Sequence, residues 1–132
     1  MGAAKDIATI IADATDFTIG TDLFYGRSLT DTPDTQIATA TYGSFPPDLA
    51  MTSTVGSAIT ERPRVQVVSR ALAYDTAEAN AQSAWNALQN YKGTVNGTNY
   101  LFTTCLQSPF FMGLDDNNRV KVGFNVEAVF AS

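Results

Sequence analysis

The sequence predicts an α+β domain: an antiparallel β-sheet with two α-helices packed on one face, over residues 1–132 as a single unit. Three observations predict it. Two segments, Ala3 to Ala14 and Tyr74 to Tyr91, place apolar residues at helical spacing. Five other segments alternate or run apolar between turn residues, as strands do. The order is helix, strands, helix, strands. The regular strand–helix alternation that a doubly wound parallel sheet requires is missing.

Ala3, Ile7, Ile10, Ile11 and Ala14 form the stripe of the first helix, with Lys5, Asp6 and Asp13 off it. Isoleucine does not favour a short helix intrinsically, so this one needs a sheet to lean on. Leu23-Phe24-Tyr25-Gly26 reads as a short strand and Thr32-Pro33-Asp34 as a turn. Gln36 to Tyr42, rich in Ile and Thr, reads as a second strand. From Gly43 to Thr60 no period is visible. This segment, with Phe45-Pro46-Pro47-Asp48, reads as a long loop, or as an irregular edge strand around Ala50 to Val55. Structureless loops of this length are uncommon in compact domains and often functional, so it is expected to order against a partner.

Arg62 to Leu72 reads as a proline-bounded strand. Alternation puts Val65, Val67, Ser69 and Ala71 on one face and Arg64, Gln66, Val68 and Arg70 on the other. The first face belongs to a core. The second is expected to offer guanidinium groups to something outside the fold. The helix that follows carries Asp75 and Glu78 at capping-box spacing and a stripe of Tyr74, Ala77, Ala81, Ala84, Trp85, Leu88 and Tyr91, with Gly93 as its stop. Trp85 is the large core anchor.

Val95-Asn96-Gly97-Thr98 signals a hairpin. Tyr100 to Gln107 reads as a strand with Tyr100, Phe102, Thr104 and Leu106 on one side. Pro109 cannot donate to a ladder and marks a bulge, an edge or a strand end. Asp115-Asp116-Asn117-Asn118 turns the chain. The last strand alternates cleanly: Val120, Val122, Phe124, Val126, Ala128 and Phe130 point one way, and Arg119, Lys121, Asn125 and Glu127 the other, with Gly123 and Val129.

Bulk composition narrows the function. A chain of 132 residues with 45% hydrophobic content can bury a real core. Its charged content, 16%, is low for a solitary soluble domain, as if neighbours cover part of the surface. Residues 1–61 hold two basic and eight acidic groups, a net of −6; residues 62–132 hold six and five, a net of +1. The overall −5 argues against a protein that grips nucleic acid across its surface, while the asymmetry suits a polar head-to-tail contact between copies.

Catalytic constellations are not visible. There is no histidine, which removes Ser-His and Cys-His chemistry and the usual metal ligand. Cys105 is the only cysteine, within a strand, and reads as a small buried hydrophobe. The Asp115-Asp116 pair is explained by its turn, and no glycine pattern cradles a phosphate. No cofactor or metal is expected. The amino terminus lacks the apolar run of a signal peptide and no segment approaches membrane-spanning length, so a soluble protein in a reducing compartment, with no membrane partner, is expected. An enzyme would have to work through Asp, Glu, Ser or Lys without a local signature.

Three ordered stretches carry a family resemblance. They are Leu23-Phe24-Tyr25-Gly26-Arg27 with Pro33-Asp34; Arg62-Pro63-Arg64-Val65-Gln66-Val67 with Arg70-Ala71 and Tyr74; and Gln107-Ser108-Pro109-Phe110 with Asp115-Asp116 and Phe124-Asn125-Val126-Glu127. Together they resemble the minor capsid proteins of long-tailed bacteriophages that look like tail terminators, or tail-completion proteins. The resemblance spans nearly the whole chain and is poorest over Gly43 to Thr60.

It implies a structural virion protein assembled in the host cytoplasm and placed at the tail–head junction. The protein would form a ring, usually of six subunits, that caps the tail tube and meets the head-completion or neck protein. DNA would pass through its hole without sequence-specific binding. Residues Arg62, Arg64, Gln66, Arg70, Phe45, Pro46, Pro47 and Asp48 are the candidate interface, a subunit or partner contact ahead of the channel lining. Rival readings are another neck or connector protein, a tail tube protein, or, in a different class, a small histidine-independent hydrolase or binding domain.

Overall fold

The structure is a computed structural model that describes residues 3–26, 34–48, 60–115 and 118–131. Two helices, α1 (Ala3–Ala14) and α2 (Tyr74–Leu88), lie on one face of a seven-stranded sheet. The strands are β1 (Leu23–Tyr25), β2 (Gln36–Asp48), β3 (Thr60–Ala71), β4 (Gly93–Val95), β5 (Thr98–Cys105), β6 (Phe110–Leu114) and β7 (Val120–Ala131). The spatial order is β1-β2-β3-β7-β5-β4, and β6 also pairs with β7. All pairs are antiparallel except β1–β2, which is parallel, so the α+β architecture is as expected with one parallel edge strand added.

The helix-covered face is the alternating set read from the sequence. Val65, Val67, Ser69 and Ala71 of β3 stand beside Val126, Phe124, Val122 and Val120 of β7 in register. Ile7, Ile11, Leu23, Ile37, Val65, Val67, Leu88, Phe124 and Val126 are buried in the main core. A second, smaller core joins Ala71, Ala77, Ala81 and Val122. The alanines of α2 keep that helix close to the sheet. Ile10 and Ile11 are buried as expected, but Ala14 is exposed and Asp6 is not. The Asp6 carboxylate accepts from the Tyr100 hydroxyl and from Asn96 Nδ2 (2.8 Å), pinning α1 to the β4–β5 hairpin. The Tyr100 phenol is pushed far up, first by burial and then by this bond.

Several local readings change. α2 is capped by Ala73 without a side-chain bond, so Asp75 and Glu78 do not form a capping box. Glu78 instead accepts from the Tyr74 hydroxyl at 2.9 Å, and Asp75 only adds charge to the first turn. The helix stops at Leu88, and the left-handed residue after it is Asn90, ahead of Gly93. The Asn96-Gly97 hairpin forms, with both residues at positive φ. In β5 a register shift between Tyr100 and Phe102 leaves both Leu101 and Phe102 exposed. Tyr100 therefore shares the core face with Thr103 and Cys105, in place of Phe102 and Thr104.

The segment read as a loop from Gly43 begins as strand. β2 continues to Asp48, with Phe45 opposite Arg62 and Asp48 opposite Thr60 and register shifts along the way. The suggested edge strand at Ala50 to Val55 and the turn at Thr32-Pro33 lie outside the described residues.

Pro109 separates β5 from β6, which lie end to end along the same edge of β7. Gln107 bridges the gap: its side-chain oxygen accepts the Asn125 N–H (3.0 Å), and its carbonyl accepts the Trp85 indole N–H (3.1 Å). Gly123, opposite Phe110 at the start of β6, has no room for a side chain. A Cβ there would overlap the Val67 carbonyl and lie 2.6 Å from Met112 Sδ. Gly123→Ala is expected to cost about 1–3 kcal/mol in urea unfolding, because the clash is with backbone and cannot be relieved by a rotamer change.

Candidate assembly interface

Of the candidate interface, Arg64, Gln66 and Arg70 lie on the sheet face away from the helices. Register brings part of it together. Phe45 faces Arg62, Ser44 faces Pro63, and Gly43 faces Arg64, so the Phe45–Asp48 segment and Arg62–Arg64 are neighbours across one strand pair. The side chains of Phe45, Pro46, Pro47, Asp48 and Arg62 lie outside the described part of the structure. Arg64 and Gln66 are half-buried on this face. Arg64 Nε stands 3.6 Å from the Glu127 carboxylate on the neighbouring strand, a pair screened by partial exposure.

Arg70 is the correction. It was expected to point outward, yet it is 5% exposed and sits six residues from Arg64, about 20 Å along β3. Its Nη1 lies 3.7 Å from Asp115 Oδ2, and its Nε donates to the Asp34 carbonyl at 3.5 Å. Burial first, and then Arg119, pushes its guanidinium pKa down; Asp115 and Asp34 act the other way. Arg119, read as an outward residue, is also buried. Its Nε and backbone N–H both donate to the Asp115 carboxylate at 2.8 Å, and its Nη1 lies 3.2 Å from Asp34 Oδ1. The end of this sheet face is thus closed by an ion-pair cluster joining β3, the β6–β7 turn and Asp34. The signal for it was present: Asp115 and Arg119 stand four apart across a tight turn, where a carboxylate can hold both the backbone and the side chain of the same arginine.

Between that cluster and Arg64, neither helix covers the face among the described residues. Gln66, Val68, Lys121 and Asn125 are half-buried, and Phe102, Leu106 and Phe110 are exposed. Asn125 Oδ1 is shielded from solvent without a hydrogen-bond partner. Such a mixture of apolar side chains and incompletely satisfied polar groups is what an interface core uses.

On the helical side, a cleft of about 630 Å³ runs between the end of α1 and α2, lined by Asp13, Asp16, Phe17, Asn80, Ser83 and Asn86. The Ser83 hydroxyl donates to the Ala79 carbonyl (3.1 Å), a side-chain-to-backbone bond within α2 and not a nucleophile–base pair. Cys105 is buried, and burial pushes its thiol up to about 12, so it stays protonated near neutral pH. Among the described residues, no helix is long and apolar enough to cross a membrane and no group of three or more His, Cys, Asp or Glu gathers as a metal site.

With this geometry in place, the family can be tested against the whole chain. The model of the family described as "Bacteriophage tail terminator protein" matches residues 10–131. The chain belongs to the bacteriophage tail terminator family. It is a structural protein of phage-type tails, as the ordered motifs implied. No curated protein matches the chain. Among solved structures, it is similar to a chain in the "Virion of native gene transfer agent (GTA) particle". The likeness has a TM-score of 0.52 and 16% identity and covers 98% of this chain and 87% of that one. At that identity the likeness speaks for the fold. The fold here has two layers among the described residues, both helices lying on one face of the sheet.

Proposed function

We propose that copies of this chain close into a ring, of six subunits on the family pattern, that caps the tail tube at the tail–head junction. The ring ends tube polymerisation, presents the tail to the head-completion protein and lets DNA pass through its hole. The observation that carries this reading is a sheet face that no helix covers among the described residues, in a chain of the tail terminator family. A terminator works by contact, and a face carrying Arg64, Gln66, Phe102 and Phe110 supplies contact without chemistry. Head-to-tail closure needs two different patches on each subunit. A net charge of −5 also keeps the hole from holding DNA phosphates tightly.

Purified chain mixed with tail tubes, viewed by negative stain and weighed by light scattering, should give rings with a central hole or tubes of fixed length with a capped end. Tubes that keep growing in its presence would overturn the reading. Within the interface, Arg64→Gln, which removes the charge without setting a second carboxylate opposite Glu127, should keep the fold but reduce tail–head joining. Joining at the wild-type level would remove Arg64 from the contact surface.

A further inference from the structure

We propose that an apolar corner built from Leu72, Tyr74, Phe111 and Leu114 docks against the β1–α1 corner of a second copy, where Ile19, Tyr25 and Lys5 are exposed. The proposal rests on the reading of the chain as a subunit that assembles with its own kind, and it assigns the two surfaces that meet.

The first corner is the most exposed apolar cluster among the described residues. Leu72 is 65% exposed, Leu114 55%, Phe111 53% and Tyr74 43%. Phe111 and Leu114 pair with Val122 and Val120, which share a face of β7, and the Phe111 ring lies 6.2 Å from that of Tyr74 at the start of α2. Leu72 is in the short link between β3 and α2. At roughly 200 Å² per large side chain, these exposures amount to about 400 Å² of apolar surface. That is at the level where a monomer's patch is usually functional. It is also half of the roughly 800 Å² per partner that a free-standing complex buries. A patch of this size is too small for a stable pair by itself. It suits a contact that each subunit makes on two sides, so that closure adds the contacts together.

The second corner has the complementary character. Ile19 bridges to Leu23 and Tyr25 follows two residues later, so both lie at the β1 edge on the helical side of the sheet. Lys5 Nζ stands over the Tyr25 ring at 6.0 Å. The β1 backbone edge is closed by its own turn, with Leu23 N–H donating to Thr18 O and Gly20 N–H to Leu23 O, so the contact is through side chains and not through an added strand. The nearby Asp22 carboxylate is engaged by the Thr18 N–H at 2.7 Å. The rim of the first corner is acidic: Asp75 and Glu78 are exposed in the first two turns of α2, facing the cation that the second corner offers. The two corners lie at opposite edges of the sheet, four strand spacings or about 19 Å apart, as a head-to-tail repeat requires.

The test is disulfide cross-linking of the full chain, alone and on tail tubes. A variant carrying Lys5→Cys with Glu78→Cys should give a ladder of covalent multimers, while either single substitution gives none, and buried Cys105 stays silent. Phe111→Glu should lower the multimer fraction at least about tenfold with its melting temperature unchanged, since it places a charge in an apolar contact and not in the core. Covalent dimers from a single variant would show a symmetric contact and overturn the proposal. So would a Phe111→Glu chain that assembles and caps tubes like the wild type, although the terminator reading would then stand. A wild-type chain that neither assembles nor caps tubes would overturn both.

Discussion

Asp115→Ala is expected to destabilise the protein by about 3–5 kcal/mol, a large share of the roughly 5–15 kcal/mol that holds a domain of this kind folded. The carboxylate accepts from Arg119 twice at 2.8 Å and lies 3.7 Å from Arg70. Those two guanidiniums are 2% and 5% exposed, respectively. Without Asp115 they remain buried and repel each other, with the partly exposed Asp34 as the carboxylate still touching Arg119. The loss is that of an uncompensated buried charge, larger than the net worth of the pairs themselves. Asp115→Asn, which keeps an acceptor but loses the charge, should fall between the wild type and alanine. Replacing all three at once (Arg70→Met, Asp115→Leu, Arg119→Met) should be close to neutral, because apolar packing does as well as a buried ion pair where no charge is stranded. Urea unfolding of the three variants separates these outcomes. A triple variant as unstable as Asp115→Ala would show that the arginines do more than balance charge.

Trp85→Ala should cost about 3 kcal/mol, the lower end of the range for a large core aromatic, since the ring is only partly buried. It packs against the main core, and its indole N–H donates to the Gln107 carbonyl in the interrupted stretch between β5 and β6. Trp85→Phe keeps most of the packing and loses the donor, so it should cost about 1 kcal/mol. Thermal unfolding of the pair divides packing from hydrogen bonding. Equal losses for both variants would place the whole effect in the Gln107 bond.

The regular elements were legible because their burial follows one period. Ile7, Ile10 and Ile11 of α1, the α2 stripe of Ala77, Ala81, Ala84 and Leu88, and the inward set of β7 from Val122 to Ala128 all follow the spacing of their residues. The Asn96-Gly97 hairpin was legible because both positions need positive φ. What could not be read depends on contacts far apart in sequence. One extra residue at Leu101–Phe102 shifts the phase of β5, and no local residue announces it. The prolines at 46 and 47 suppress a strand period, yet β2 reaches Asp48 by pairing with β3. Arg70 and Arg119 turn inward because Asp115 and Asp34 close over them, and Asp6 is buried because Tyr100 and Asn96 reach it across 94 and 90 residues. Of the interface, alternation along β3 located Arg64 and Gln66 on the open face, while the same alternation could not show that this face is sealed at the Arg70 end.

The break at Pro109 gives the molecule a seam. β7 is zipped to β5 over one half and to β6 over the other, and each half rests on a separate core, the first on isoleucines, leucines and Phe124, the second chiefly on alanines. Small side chains bury little area, so what ties the β6–β7 end to the body is less its apolar core than its pairing with β3 and the Asp115 ion pairs to Arg70 and Arg119. Cutting that charge cluster should therefore loosen this end first, while α1 keeps its seat on the larger core.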